Sequence, residues 1–94
     1  MKSKILSLGV ALLVFAATAG AAVTLRYYNK DSKTHTFRVK ISGSYSTVEF
    51  GSSRTASVTI QGGDEVAIIY TNCGEVKVKQ GDNIEIKDGC ITVK

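Results

Sequence analysis

From Val23 onward, apolar and polar residues alternate in short runs. In "HTFRVKIS" (35–42), Phe37, Val39 and Ile41 share one face. "STVEF" (46–50) sets Val48 beside Phe50, and "TASVTIQ" (55–61) sets Ala56, Val58 and Ile60 against Thr55, Ser57 and Thr59. "VTLRYY" (23–28), "EVAIIYT" (65–71), "EVKVK" (75–79), "NIEIK" (83–87) and "CITVK" (90–94) continue the pattern. A period of two marks strands with one buried face. "EVAIIYT" is the most apolar run and predicts an interior strand. The separators "NKDSK", "SGSY", "GSSR", "QGGD", "NCG", "QGD" and "KDG" are rich in turn-forming residues. No segment after residue 22 carries a helical period.

About eight short strands joined by turns predict an all-β domain. The reading is a small antiparallel β-sandwich, with Ig-like Greek-key or meander connections. A small closed β-barrel is the alternative. A solenoid needs at least three regular repeats, and only the last third of the chain hints at one. Strand edges are often guarded by proline. This chain has none, so Lys, Arg and twist must guard them.

The turn chemistry gives registers for the last strands. Asp88-Gly89 is a type I′ signal. It sets Lys87 opposite Cys90, Ile86 opposite Ile91, Glu85 opposite Thr92 and Ile84 opposite Val93. Gln80-Gly81-Asp82, read as a three-residue hairpin loop, sets Val78 opposite Ile84 and Val76 opposite Ile86. The other face then pairs Lys77 with Glu85 and Glu75 with Lys87, two opposite charges. The expectation is a C-terminal meander.

The start of the chain is different. "MKSK" is basic, and "ILSLGVALLVFAATAGAA" follows without a charge and ends on small residues. Ala19-Gly20-Ala21 fits the A-x-A cleavage pattern of a secretory signal peptide. The expected organisation is a signal peptide over 1–21 and one small all-β domain over 22–94. Removing Lys2 and Lys4 lowers the net charge from +4 to +2. The expected destination is the periplasm or the outside of the cell, by Sec-type export of the bacterial kind, with no stable membrane insertion after cleavage. Because positive and negative residues interleave along the strands, nucleic-acid binding is not expected.

Cys73 and Cys90 are the two cysteines of the chain. Structural zinc needs four Cys or His ligands, and the domain offers these two with His35. A redox motif needs C-x-x-C, which is absent. In an oxidising compartment the pair reads as a disulfide. The meander places both residues near the Asp88-Gly89 turn, within disulfide reach.

Little else carries chemistry. His35, at the start of a strand, reads as a solvated surface residue. G-x-S-x-G is absent from the domain. Asp64, Glu65, Asp82 and Asp88 stand in or beside turns, where Asp bonds its own backbone, and no EF-hand spacing groups them. No metal or other cofactor is expected. Tyr27, Tyr28, Tyr45 and Tyr70 are the four tyrosines. Adjacent Tyr27 and Tyr28 point to opposite faces of a strand, so one is core and the other exposed. Arg26, Tyr27 or Tyr28, and Lys30 form the candidate contact patch, since Tyr and Arg favour interfaces.

The functional expectation is a non-catalytic binding or structural module meeting a protein or glycan surface. A subunit of an extracellular fibre, joined through edge strands, is the alternative, and "TASVTIQ" is the best candidate for an open edge. A small secreted inhibitor acting through the polar connection "NKDSKTH" (29–35) is a further one. An enzyme is not expected, because a domain of this size has little room for a concave, water-excluding pocket.

Overall fold

The computed structural model describes residues 21–94. The leader expected over 1–21 lies outside the described residues except for Ala21. Among the described residues eight strands follow one another without a helix: β1 (Ala22–Asn29), β2 (His35–Ile41), β3 (Ser44–Phe50), β4 (Arg54–Gln61), β5 (Val66–Thr71), β6 (Gly74–Lys79), β7 (Asn83–Lys87) and β8 (Cys90–Val93). Each coincides with one of the alternating runs. They form two four-stranded sheets, ordered β4-β1-β7-β8 and β3-β2-β5-β6. The sheets pack face to face as a sandwich. The closed-barrel alternative does not hold, because each sheet keeps two open edges.

The core is one apolar cluster between the sheets. The first sheet supplies Val23, Leu25, Tyr27, Ile60, Ile84, Ile86 and Ile91. The second supplies Phe37, Val39, Ile41, Val48, Phe50, Ala67, Ile69 and Val78. Burying a side chain such as Leu25 or Phe50, both at 0% exposure, stabilises by about 1.5–3 kcal/mol. The most apolar run, β5, is interior, between β2 and β6.

The β7–β8 hairpin has the register read from its turn, Lys87 opposite Cys90 through Ile84 opposite Val93. Asp88 and Gly89 both take positive φ, 53° and 77°, as a type I′ turn requires.

The hairpin expected before it does not form. Here β6 pairs with β5, Val78 opposite Ala67 and Val76 opposite Ile69. Strand β7 lies in the other sheet, parallel to β1, with Tyr27 opposite Ile84. Lys77 and Glu75 therefore do not meet Glu85 and Lys87. Glu85 binds Lys30 and Lys94 instead, at 3.1 and 3.0 Å. The cause is the needs of β1. Val23, Leu25 and Asn29 are fully buried, so β1 needs backbone partners along both edges. The odd-numbered residues face β4. The even-numbered ones bond the β7 side, Arg26 N–H to Asp82 O at 3.0 Å and Gly81 N–H to Thr24 O at 3.0 Å. Gln80-Gly81-Asp82 is thus a crossing between sheets, anchored on Thr24 through the Gln80 Oε1 acceptor at 2.6 Å.

Cys73 and Cys90 are joined, with Cα atoms 5.5 Å apart. Cys73 lies in the β5–β6 turn of one sheet and Cys90 opens β8 in the other. The bond therefore ties the two sheets together, where the meander had placed it within one.

Candidate functional site

One end of the sandwich is held by a polar cluster built on the β1–β2 connection. Asn29 closes β1 and is completely buried. Its amide nitrogen donates to the carbonyls of Lys33, Phe50 and Gly51 at 3.1, 3.3 and 3.1 Å. Its oxygen accepts from Asp31 N–H at 2.9 Å. Asp31 in turn reaches across to the β7–β8 turn, accepting from the N–H groups of Asp88 and Gly89 at 2.8 and 3.0 Å. Its carboxylate also meets His35 Nε2 at 2.6 Å.

These contacts hold Asp31 below the usual carboxylate range. The Asp88 N–H contributes most, then the His35 ring, then the Gly89 N–H. His35 is not the solvated surface residue expected. It is 8% exposed and stacks on Phe37, with ring centroids 5.5 Å apart. An isolated imidazole at a strand end is polar enough for water, but here a carboxylate and an aromatic ring replace the water. A His–carboxylate pair also begins a catalytic triad. Among the described residues, however, no hydroxyl hydrogen-bonds to the ring, and Asp31 ties the β1–β2 connection to the β7–β8 turn. The expected roles of the turn carboxylates hold for Asp82 and Asp64, which accept from the N–H groups of Lys79 and Glu65.

The candidate patch divides. Tyr27 faces the core at 5% exposure and must be removed from it. Its ring meets Phe50 edge-on at 4.9 Å, and its hydroxyl accepts from Gly51 N–H at 2.9 Å. Period-two geometry then turns Arg26, Tyr28 and Lys30 outward on the first sheet. Arg26 and Tyr28 edge a shallow cleft of about 200 Å³ with Thr55, Asn83, Glu85 and Lys94. Glu85 sits between Lys94 and Lys30, whose hydrogen bonds, Lys94 first, hold its carboxyl below the ordinary range. That one carboxylate engages both lysines and offsets part of the positive charge on this face.

The second sheet assembles a different cluster on its outer face. Register places Arg38 between Thr47 and Tyr70, and Lys40 between Tyr45 and Ile68. The Arg38 guanidinium stands 4.6 Å from the centre of the Tyr45 ring and 5.8 Å from that of Tyr70. Lys40 Nζ is 5.7 Å from Tyr45. The two rings are 6.3 Å apart. Tyr45 is 54% exposed. The Tyr70 hydroxyl is pushed above its ordinary range, first by desolvation and then by Tyr45. Among the described residues no carboxylate pairs with Arg38 or Lys40. A guanidinium held over an aromatic face keeps its planar fork of donors, suited to carboxylate or phosphate. Tyr45 is joined to this face locally, by the Ser42-Gly43 turn of the β2–β3 hairpin, whereas nothing local connects Tyr70 on β5 to Arg38. The alternation "FRVKI" does put Arg38 and Lys40 on one outward face, and that was the available signal.

Among the described residues, no three His, Cys, Asp or Glu side chains gather as a metal site would require. No helix there is long and apolar enough to cross a membrane. No family model, curated protein or solved structure matches this chain. The fold and disulfide define it as a small all-β sandwich cross-linked between its sheets.

Proposed function

We propose that the protein is an exported, non-catalytic binding module that meets an acidic partner surface, glycan or protein, through the outer face of the β3-β2-β5-β6 sheet. One observation carries the reading. Arg38 is stacked on Tyr45 and Tyr70 beside Lys40, with no carboxylate partner among the described residues. Exposed Tyr and Arg supply contact area and directed donors at low entropic cost. The Arg26–Tyr28 cleft supports a second, weaker contact, since Glu85 already engages both neighbouring lysines.

Export is supported by the anatomy of residues 1–21. It is also supported by the start of β1 at Ala22, the residue a cut would expose. A disulfide in so small a domain is compatible with an extracellular or periplasmic location. Intact mass of exported material should begin at or near Ala22, and a membrane-bound chain retaining residues 1–21 would sink this part.

Binding is tested with a uronate-rich polysaccharide against neutral dextran. The acidic polymer should bind and be released by salt. Arg38→Ala and Tyr45→Ala should each weaken binding by about tenfold while leaving Tm unchanged. A greater loss from Arg26→Ala with Tyr28→Ala would move the contact to the first sheet. Loss of the native phenotype with His35→Ala in a folded protein that still binds the polymer would favour catalysis.

A further inference from the structure

The free edge of β4 offers a site beyond that binding face. Strand β4 pairs with β1 over its whole length, Arg54 opposite Asn29 through Gln61 opposite Ala22, without a bulge. The β1 residues that bond β7 are the even-numbered ones, as the Arg26–Asp82 and Thr24–Gly81 bonds show. The odd-numbered β1 residues therefore bond Arg54, Ala56, Val58 and Ile60. Successive residues of a strand present their backbone groups to opposite edges. Thr55, Ser57, Thr59 and Gln61 thus direct N–H and C=O groups away from the sheet, and among the described residues these groups have no backbone partner.

The edges differ in protection. Strand β8 has four residues, too few for a strong template. Strand β6 carries Lys77 and Lys79, the usual guards against pairing. Strand β3 holds Glu49, and the cations Arg38 and Lys40 lie over its Tyr45. Strand β4 has eight residues, and its one charge, Arg54, is at its end. It has no proline, and its inward Ala56 and Val58 remain partly exposed.

We infer that β4 pairs antiparallel with β4 of a second copy, across a two-fold axis at Val58. Face and backbone direction both restrict the register. Outward residues must meet outward residues, and only the odd-numbered ones offer free groups. With Val58 opposite its own copy, Thr55 meets Gln61 and Ser57 meets Thr59, so every free N–H and C=O of the edge is used. The outer face gains two central Ser57–Thr59 hydroxyl pairs, a favourable cross-strand combination, flanked by Thr55–Gln61 pairs. The inner face sets Ala56 against Ile60 and Val58 against Val58, covering the apolar strip. Arg54 meets Gly62, and the two arginines stand at opposite ends of the pair. The two sheets so joined become one sheet of eight strands.

Sedimentation analysis over a wide concentration range, with amide exchange followed residue by residue, tests the pairing. A dimer is expected, with the amides of Thr55, Ser57, Thr59 and Gln61 protected in proportion to its population. Ser57→Pro removes a donor on the free edge alone, twice per dimer. Thr59→Lys adds a guarding charge and needs no backbone change. Either should raise the dissociation constant about tenfold or more, whereas Arg38→Ala should leave it unchanged. Monomer at every concentration with those amides unprotected would overturn the inference. So would protection within a monomer, or a dimer indifferent to both edge variants.

Discussion

Replacing Asn29 by Ala should remove much of what holds one end of the sandwich. The side chain is fully buried and supplies polar partners to four backbone groups, the carbonyls of Lys33, Phe50 and Gly51 and the N–H of Asp31. A typical hydrogen bond contributes about 1 kcal/mol net, and a buried group left without a partner costs about 1–3 kcal/mol. The donors of one amide are shared among three acceptors, which lowers the sum. The Phe50 bond lies wholly inside, whereas the others can recover water in part. We expect Asn29→Ala to cost about 3–4 kcal/mol. Small domains have about 5–15 kcal/mol in total, so the variant should be marginal. Urea unfolding measures it, as a lowered midpoint at unchanged slope. Asn29→Asp is the control. It keeps the acceptor for Asp31 N–H but sets a carboxylate against three carbonyl oxygens. Its folded pKa is then raised, so its destabilisation should shrink as pH falls through that value. A loss below about 1 kcal/mol for Asn29→Ala would refute the reasoning, since it would mean that these backbone groups find other partners.

Cys90→Ser should cost about 3 kcal/mol, because the 17-residue separation makes a loop of the length for which chain entropy gives that value. Denaturing, non-reducing thiol titration should find none in the parent protein. Asp31 has a lowered folded pKa, so its contribution is complete above the unfolded value and is lost as pH falls through the folded one. Asp31→Asn should therefore lower Tm near neutrality and flatten its acid limb, read from Tm against pH. Gly62→Ala should cost about 1–3 kcal/mol by overpacking, because the added methyl would run into the buried Ile41 side chain. Thermal unfolding of Gly62→Ala, alone and with Ile41→Val, should show partial relief in the double variant.

Alternation by itself determined the strands and the faces they bury. It works because one face of each strand meets a single core, so the period of two is selected at every apolar position. The Asp88-Gly89 turn determined the β7–β8 register for a local reason, since few residues accept positive φ. The cysteine pairing was also legible, from the count and the expected compartment. Its placement between the sheets was not. Alternation tells which face a strand buries and is silent on its neighbour. Val76 and Val78 can oppose Ile84 and Ile86 in one sheet or face the same core from two sheets with equal hydrophobic consistency. The tertiary structure decided for two sheets, because buried β1 needs partners on both edges and β7 satisfies the second. The same limit explains the site. Opposite faces for Tyr27 and Tyr28 followed from geometry, but which one entered the core depended on Phe50 and Gly51 being there to receive it. His35 became buried because Asp31 and Phe37 replace its water. Arg38 and Tyr45 lie on neighbouring strands of the β2–β3 hairpin, but Tyr70 comes from β5, and only the pairing of β5 with β2, which the tertiary structure sets, could bring it to them.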